Sequence, residues 1–397
     1  MKNLLVTALS LPLYCATPAA SGMSGEWSGV IASEMRLFME EAQYKQQSDE
    51  SLSISTNVDY YRDWSDGDQR FALSAFYRHD SADNERSHSD IRELYWRKRA
   101  DNINIYLGVR KIFWGSAETV HLVDIINQED LVENFDGEDK LGQPMINISM
   151  ENDWGTFEVF SLLGFRERTF PGKEGRLHGE LSVDTDNPLY QSDRKDKHVD
   201  YAIRWSQVLG DWDVGLSHFY GTSRDPILLA SSQGNKLIPY YPLINQSGVD
   251  IQATLGAWLL KLEAISIDEK KAGRSNALVA GGEYTIVGIA DSTADLGWLA
   301  EYQYDDRRGN RRTSAQNDLA IGARLTLNDM NDTKLLFLIV YDLDYQSRFI
   351  SLEASHRLSN NWAIESEIRL FNHISEQDIL WAFKDENYLQ VEIKRFF

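Results

Sequence analysis

From Ile103 onward the side chains alternate: Ile103, Ile105, Leu107 and Val109 fall on one face, Asn104, Tyr106, Gly108, Arg110 and Trp114 on the other. A period of two marks a strand with one apolar and one polar face. The alternation predicts a strand reaching Trp114, broken by Gly115. About 28 residues separate it from the next alternating run, which is long for a hairpin connection. Similar runs fill the chain: 27–39, 52–60, 71–77, 93–97, 146–150, 157–163, 199–205, 212–216, 249–255, 260–264, 278–286, 296–304, 319–327, 335–343, 350–358, 364–370 and 388–397. Helical periodicity is scarce.

The count is about 18 strands (16–18), and an even number suits a bacterial single-chain barrel. Connection lengths support it. Those at 99–102, 151–153, 209–211, 328–331 and 359–361 are short, whereas 79–90, 115–143, 166–198, 222–247, 305–316 and 372–386 are long and polar. Short turns on one side and long loops on the other predict an all-β, transmembrane antiparallel barrel with periplasmic turns and extracellular loops. Trp96, Trp205, Trp212, Trp298, Trp362, Tyr201 and Tyr304 lie near strand ends, where amphipathic rings suit the lipid headgroup boundary.

The ends of the sequence fit an outer-membrane address. Lys2, the apolar stretch from Leu4 to Leu13 and the small residues from Ala16 to Gly22 read as a secretory signal over residues 1–22, cleaved between Ala19 and Met23. Cys15 is the single cysteine and would leave with it. Residues 23–397 then read as one barrel domain. The stretch from Tyr388 to Phe397 alternates and closes on Phe397, which resembles the assembly signal of bacterial outer-membrane barrels; Arg395 departs from that pattern. The expected location is the outer membrane of a Gram-negative bacterium, with its lipids, lipopolysaccharide and barrel-assembly machinery as partners.

Placing the apolar faces outward puts Glu93, Arg97, Arg110, Lys261, Glu263, Glu283, Glu301 and Arg324 in the lumen, with further charges at Arg78, Glu158, Arg204, Glu353, Glu367, Arg369 and Glu392. So many charges require a wet or tightly cross-paired interior. The 115–143 loop is the candidate constriction, with Trp114, Asp124 and Asp130 as its expected contact residues. Arg110 is expected to pin it through a carboxylate. His121 with Asp136, Glu138 and Asp139 offers hard oxygens for a divalent cation, but the spacing matches no EF-hand; a solvated acidic loop is the plainer reading. No metal or cofactor is expected.

None of the eight histidines sits in a nucleophile or metalloprotease motif, and no phosphate loop is present. An enzyme is therefore not expected. The net charge of −21 argues against nucleic acid as a partner.

The segments Ile238 to Asp250, Trp258 to Glu263, Gly282 to Thr285, Leu299 to Tyr302 with Asp305 to Arg307, and Asn317 to Leu319 leading to Arg324 and Leu325 are similar to a group of uncharacterised proteobacterial outer-membrane, porin-like barrel proteins of unknown substrate. The resemblance spans most of the mature chain. It implies neighbouring RND-type exporters or periplasmic lipid carriers, and traffic of a hydrophobic molecule. The leading expectation is a channel or transporter for a solute or lipid-like molecule. A general diffusion porin and a closed structural or surface-binding barrel are the alternatives.

Overall fold

The computed structural model describes residues 25–397; the signal segment and Cys15 lie outside them. Among the described residues, 18 strands form one closed antiparallel sheet. Each strand pairs with its neighbours along the chain, and Glu26–Phe38 closes the ring by pairing with both Glu50–Trp64 and Tyr388–Phe396. At the seam, Phe397 exchanges two backbone hydrogen bonds with Gly29.

Alternation sorts the wall as the sequence demands. Leu94, Leu107, Ile146, Ile148, Ile203, Leu216, Leu260, Ile321 and Phe337 point outward, each more than a third exposed. Bulky aliphatic residues in a continuous exposed belt need hydrocarbon around them. Trp212, Trp298, Trp362, Tyr201 and Tyr304 are also exposed, in keeping with an aromatic girdle.

All 18 predicted strands are present, with three corrections. The strand Ile103–Arg110 ends four residues before Trp114. Its alternation outlasts it because 111–114 already turns into the barrel. Leu243–Leu255 begins six residues before Val249. Its first part holds Asn245, Gln246, Ser247 and Gly248, which read as loop because the outward positions there are polar. The third concerns the long loops, which carry structure of their own. Leu189–Tyr190, Ile227–Ala230 and Leu237–Tyr241 form a small second sheet over the barrel mouth.

One strand breaks the pattern. Lys334–Asp342 is apolar on both faces. Leu335, Phe337 and Ile339 face outward, whereas Leu336, Leu338 and Val340 face the lumen, in register with the inward residues Arg324, Gly322 and Ala320.

Candidate functional site

The 111–142 loop enters the barrel and crosses it. Gly115 makes the entry: its φ of +107° favours glycine, and a β-carbon there would collide with the Glu263 carboxylate. Glu263 is fully buried and accepts hydrogen bonds from the backbone N–H groups of Ser116 at 2.7 Å, Ala117 at 2.9 Å and Val123 at 3.3 Å. Two strands away, Glu301 accepts the N–H groups of Glu118 at 2.8 Å and Thr119 at 3.0 Å, and the Thr119 hydroxyl at 2.7 Å. The Glu118 side chain turns to Arg324 at 2.7 Å and Lys261 at 3.3 Å, and Arg324 lies 3.5 Å from Glu283. Lys261, Glu263, Glu283, Glu301 and Arg324 thus converge on one turn of loop.

Past this anchor the loop is apolar. Trp114, Val123 and Ile126 are buried against Met145, Phe160, Leu162, Phe219, Ile244, Ile265 and Ile267, all from the wall. This part of the lumen is apolar and closely packed, an addition to the wet or tightly cross-paired interior expected from the charges. Trp114 packs edge-on against Phe160, with Arg204 over its ring. Arg224 holds the Ile126 carbonyl.

The acidic stretch then meets the opposite wall, where strands Glu26–Phe38, Gln69–Asp80 and Ser89–Ala100 and the loop after Asp80 present Arg36, Arg78, Arg92 and Arg86. Asp130, with no exposed surface, pairs with Arg92 at 2.8 Å. Glu133 pairs with Arg78 at 2.9 Å and with His88 at 2.7 Å. Glu34 bridges Arg78 and Arg86. Burial opposes the charge of Glu133, but His88, Arg78 and Arg86 outweigh it and hold its carboxyl at about 2. His88, Asp130 and Glu133 bring ligand atoms within 4.8 Å of one another. Arginines already occupy both carboxylates, so the cluster is an ion-pair network. Asp124, Asp130 and Glu133 are therefore buried, which corrects the solvated reading for them, whereas Asp136 and Glu138 keep exposed surface.

Farther along, Phe135 packs among Phe349, Phe371 and Phe383. Burial pushes the neighbouring Asp136 carboxyl up to about 7, although Arg369 lies 3.4 Å away. Burial, helped by Glu133, lifts Asp139 to about 6. Glu138 hydrogen-bonds His121 at 2.6 Å. Of the groups considered for a divalent cation, Glu138 pairs with His121 and Asp136 with Arg369, so the set does not converge on one ion.

Arg110 does not pin the loop through a carboxylate. Its guanidinium donates to Asn147 at 2.6 Å and lies over the Tyr106 and Tyr95 rings. Only its backbone carbonyl meets the loop, through Asn127. Glu93 reaches the Lys111 N–H at 3.4 Å, and Arg97 bonds Gly67 O near a short turn. These three stand apart from the Glu263 group. Asp124 accepts from the Trp114 N–H and lies 3.3 Å from Lys140, a contact internal to the loop. The Arg36, Arg86 and Arg92 bank escaped sequence reasoning. Arg86 lies outside the strands, and a register shift at Ser74/Ala75, opposite 91–93, leaves Arg92 off the regular alternation.

Between the loop and strands Asp295–Asp305 through Trp362–Asn372 a crevice remains, with a volume of about 1130 Å³. Its lining reaches from Asp318 to Arg324 on one strand, roughly 20 Å at about 3.3 Å per residue. It opens among the long loops.

No protein-family model matches the sequence, and no curated protein matches it. Solved structures do. Pseudomonas aeruginosa OccD3 (OpdP) superposes with a TM-score of 0.55 at 11% identity, over 96% of this chain and 93% of that one. Wzi of Escherichia coli, described as an outer-membrane protein involved in group 1 capsule assembly and a carbohydrate-binding β-barrel, gives 0.54 at 11%, over 93% and 83%. At this identity the likeness is one of fold. With its closed 18-strand sheet and lipid-suited belt, the chain has the fold of an outer-membrane β-barrel.

Proposed function

We propose that this barrel is a selective channel whose path is the crevice beside the inserted loop. One observation carries the reading: the loop is fastened to two opposite walls and leaves a lined crevice beside it. A general diffusion porin needs a wide aqueous lumen, and here the loop and its apolar core fill much of it. A lipid-like cargo fits less well than a compact solute, because charged side chains line the passage at Glu118, Arg324, Asp136 and Arg369. The closed, surface-binding alternative draws some support from Wzi, which binds carbohydrate as a barrel of similar fold.

Planar-bilayer recording separates the two. The parent protein is expected to show small single-channel conductance, and the double variant Glu263→Ala/Glu301→Ala, with the loop's first anchor removed, a several-fold larger one. Silence from both proteins would sink the channel reading and leave a binding barrel.

A further inference from the structure

Two features of the crevice point to what it holds. One is its apolar strip. Leu336, Leu338 and Val340 project into a lumen where neighbouring inward positions carry charge. Beside Leu338 and Val340 lie Gly322 and Ala320 on one strand and Ser351 and Phe349 on the other, while Leu336 sits between Arg324 and Glu353. Leu299, Ala320 and Leu338 pack as a cluster with Leu336 and Val340 alongside. An apolar surface of this kind facing a water-accessible passage marks a place for an apolar ligand group.

The other feature is a trio of carboxylates at the outer end of that strip. Asp318 and Asp342 face each other across two paired strands, and Asp378 caps the short turn Ile379–Phe383. All three line the crevice and are buried, Asp318 to 3% exposure. Among the described residues none forms a salt bridge. Their hydrogen bonds come from nearby backbone N–H groups: Asn317 to Asp318, Asp344 and Tyr345 to Asp342, and Leu380 to Asp378. Among the described residues, the other oxygen of Asp318 has no hydrogen-bond donor. The arginines on adjoining segments are engaged elsewhere, Arg312 with the Gln377 carbonyl and Arg348 over the Tyr341 ring. Buried carboxylates paired across neighbouring strands are relieved by a shared proton or by a cation; the crevice leaves room for the cation.

Val340 and Leu338 lie two and four residues from Asp342, or roughly 7 and 13 Å along the strand. A ligand matching both features carries a cationic head and, within that span, an apolar body. We infer that the crevice binds a small amphipathic organic cation, its ammonium against Asp318, Asp342 and Asp378 and its apolar body along Leu338, Val340 and Phe349. The inference rests on the channel reading in taking this molecule as the solute selected.

Calorimetry on the folded, detergent-solubilised protein tests the site with three probes: phenethylammonium, phenylacetate and methylammonium. Phenethylammonium is expected to bind at least tenfold tighter than either of the others. Asp318→Asn/Asp342→Asn should abolish its advantage over phenylacetate, and Leu338→Ser should weaken phenethylammonium several-fold while leaving methylammonium unchanged. Heat-modifiable migration on gels verifies that each variant is folded. Equal binding of the aromatic cation and anion, or a preference that survives the double Asn variant, would overturn the inference. Cation binding without conductance keeps the site and removes the channel; conductance without cation discrimination does the reverse.

Discussion

The loop is held at two opposite walls, and the polarity of the grip is reversed between them. On strands Trp258–Glu269 and Asp295–Asp305 the wall supplies carboxylates and the loop supplies backbone N–H groups. Across the lumen the wall supplies arginines and the loop supplies carboxylates. The first grip depends mainly on loop backbone shape, with the Thr119 hydroxyl and the Glu118 side chain adding to it. The second is a charge match that requires residues on both partners. A hydrogen bond to a buried charged group contributes roughly 1.5–3 kcal/mol net. Removing one member of a buried ion pair costs roughly 3–5 kcal/mol, because its partner is left uncompensated. The arginine wall is therefore the more brittle of the two.

That ranking can be broken experimentally. Arg92→Ala leaves the fully buried Asp130 with no ion-pair partner among the described residues; a loss of about 3–5 kcal/mol is expected, read as a lower unfolding temperature in detergent. A loss under about 1 kcal/mol would make the arginine bank ornamental.

Glu263→Ala should cost less, about 3 kcal/mol, and show mainly as proteolytic cleavage of the 111–142 loop. Ser116→Ala should change almost nothing, since the Ser116 hydroxyl has no partner and only its N–H is used. If the two variants behave alike, the wall carboxylate does not grip the backbone.

The smallest effect is one of pH. Asp136 and Asp139 have pKa values raised in the docked loop, and Glu138 raises that of His121 against the effect of burial. A raised value means the docked state binds more protons. Glu133, whose carboxyl pKa is lowered, strengthens docking as pH rises through the acid range. Above that range the raised groups dominate, and docking weakens as pH climbs through about 6 to 7, by at most about 1.4 kcal/mol per pH unit per proton. Conductance should be higher at pH 8 than at pH 5.5. The opposite trend would place the pH-sensitive contact elsewhere.

Much of this was legible from residue patterns. Alternation assigned Glu263 and Glu301 to the lumen, and the long connection after Arg110 marked the inserted loop. Their pairing was not legible, because the acceptors meet backbone groups that leave no trace in residue identity. Arg110 misled for a related reason: a charge on the lumen face invites a carboxylate, but two tyrosine rings and Asn147 satisfy it instead. The inward leucines escaped notice because a strand apolar on both faces has no alternation to read.

That same strand, Lys334–Asp342, bears on how the barrel is stitched together. Elsewhere in the wall, slipping one residue against a neighbour would drive charged side chains into lipid. Here a slip merely exchanges one aliphatic face for another, so side-chain polarity proofreads nothing. Alignment falls to shape: a β-carbon at Gly322 would lie 2.5 Å from the Phe337 carbonyl oxygen and 3.0 Å from Leu338. The notch left by that missing methyl seats the strand, and the polar termini Lys334 and Asp342 mark where it must stop.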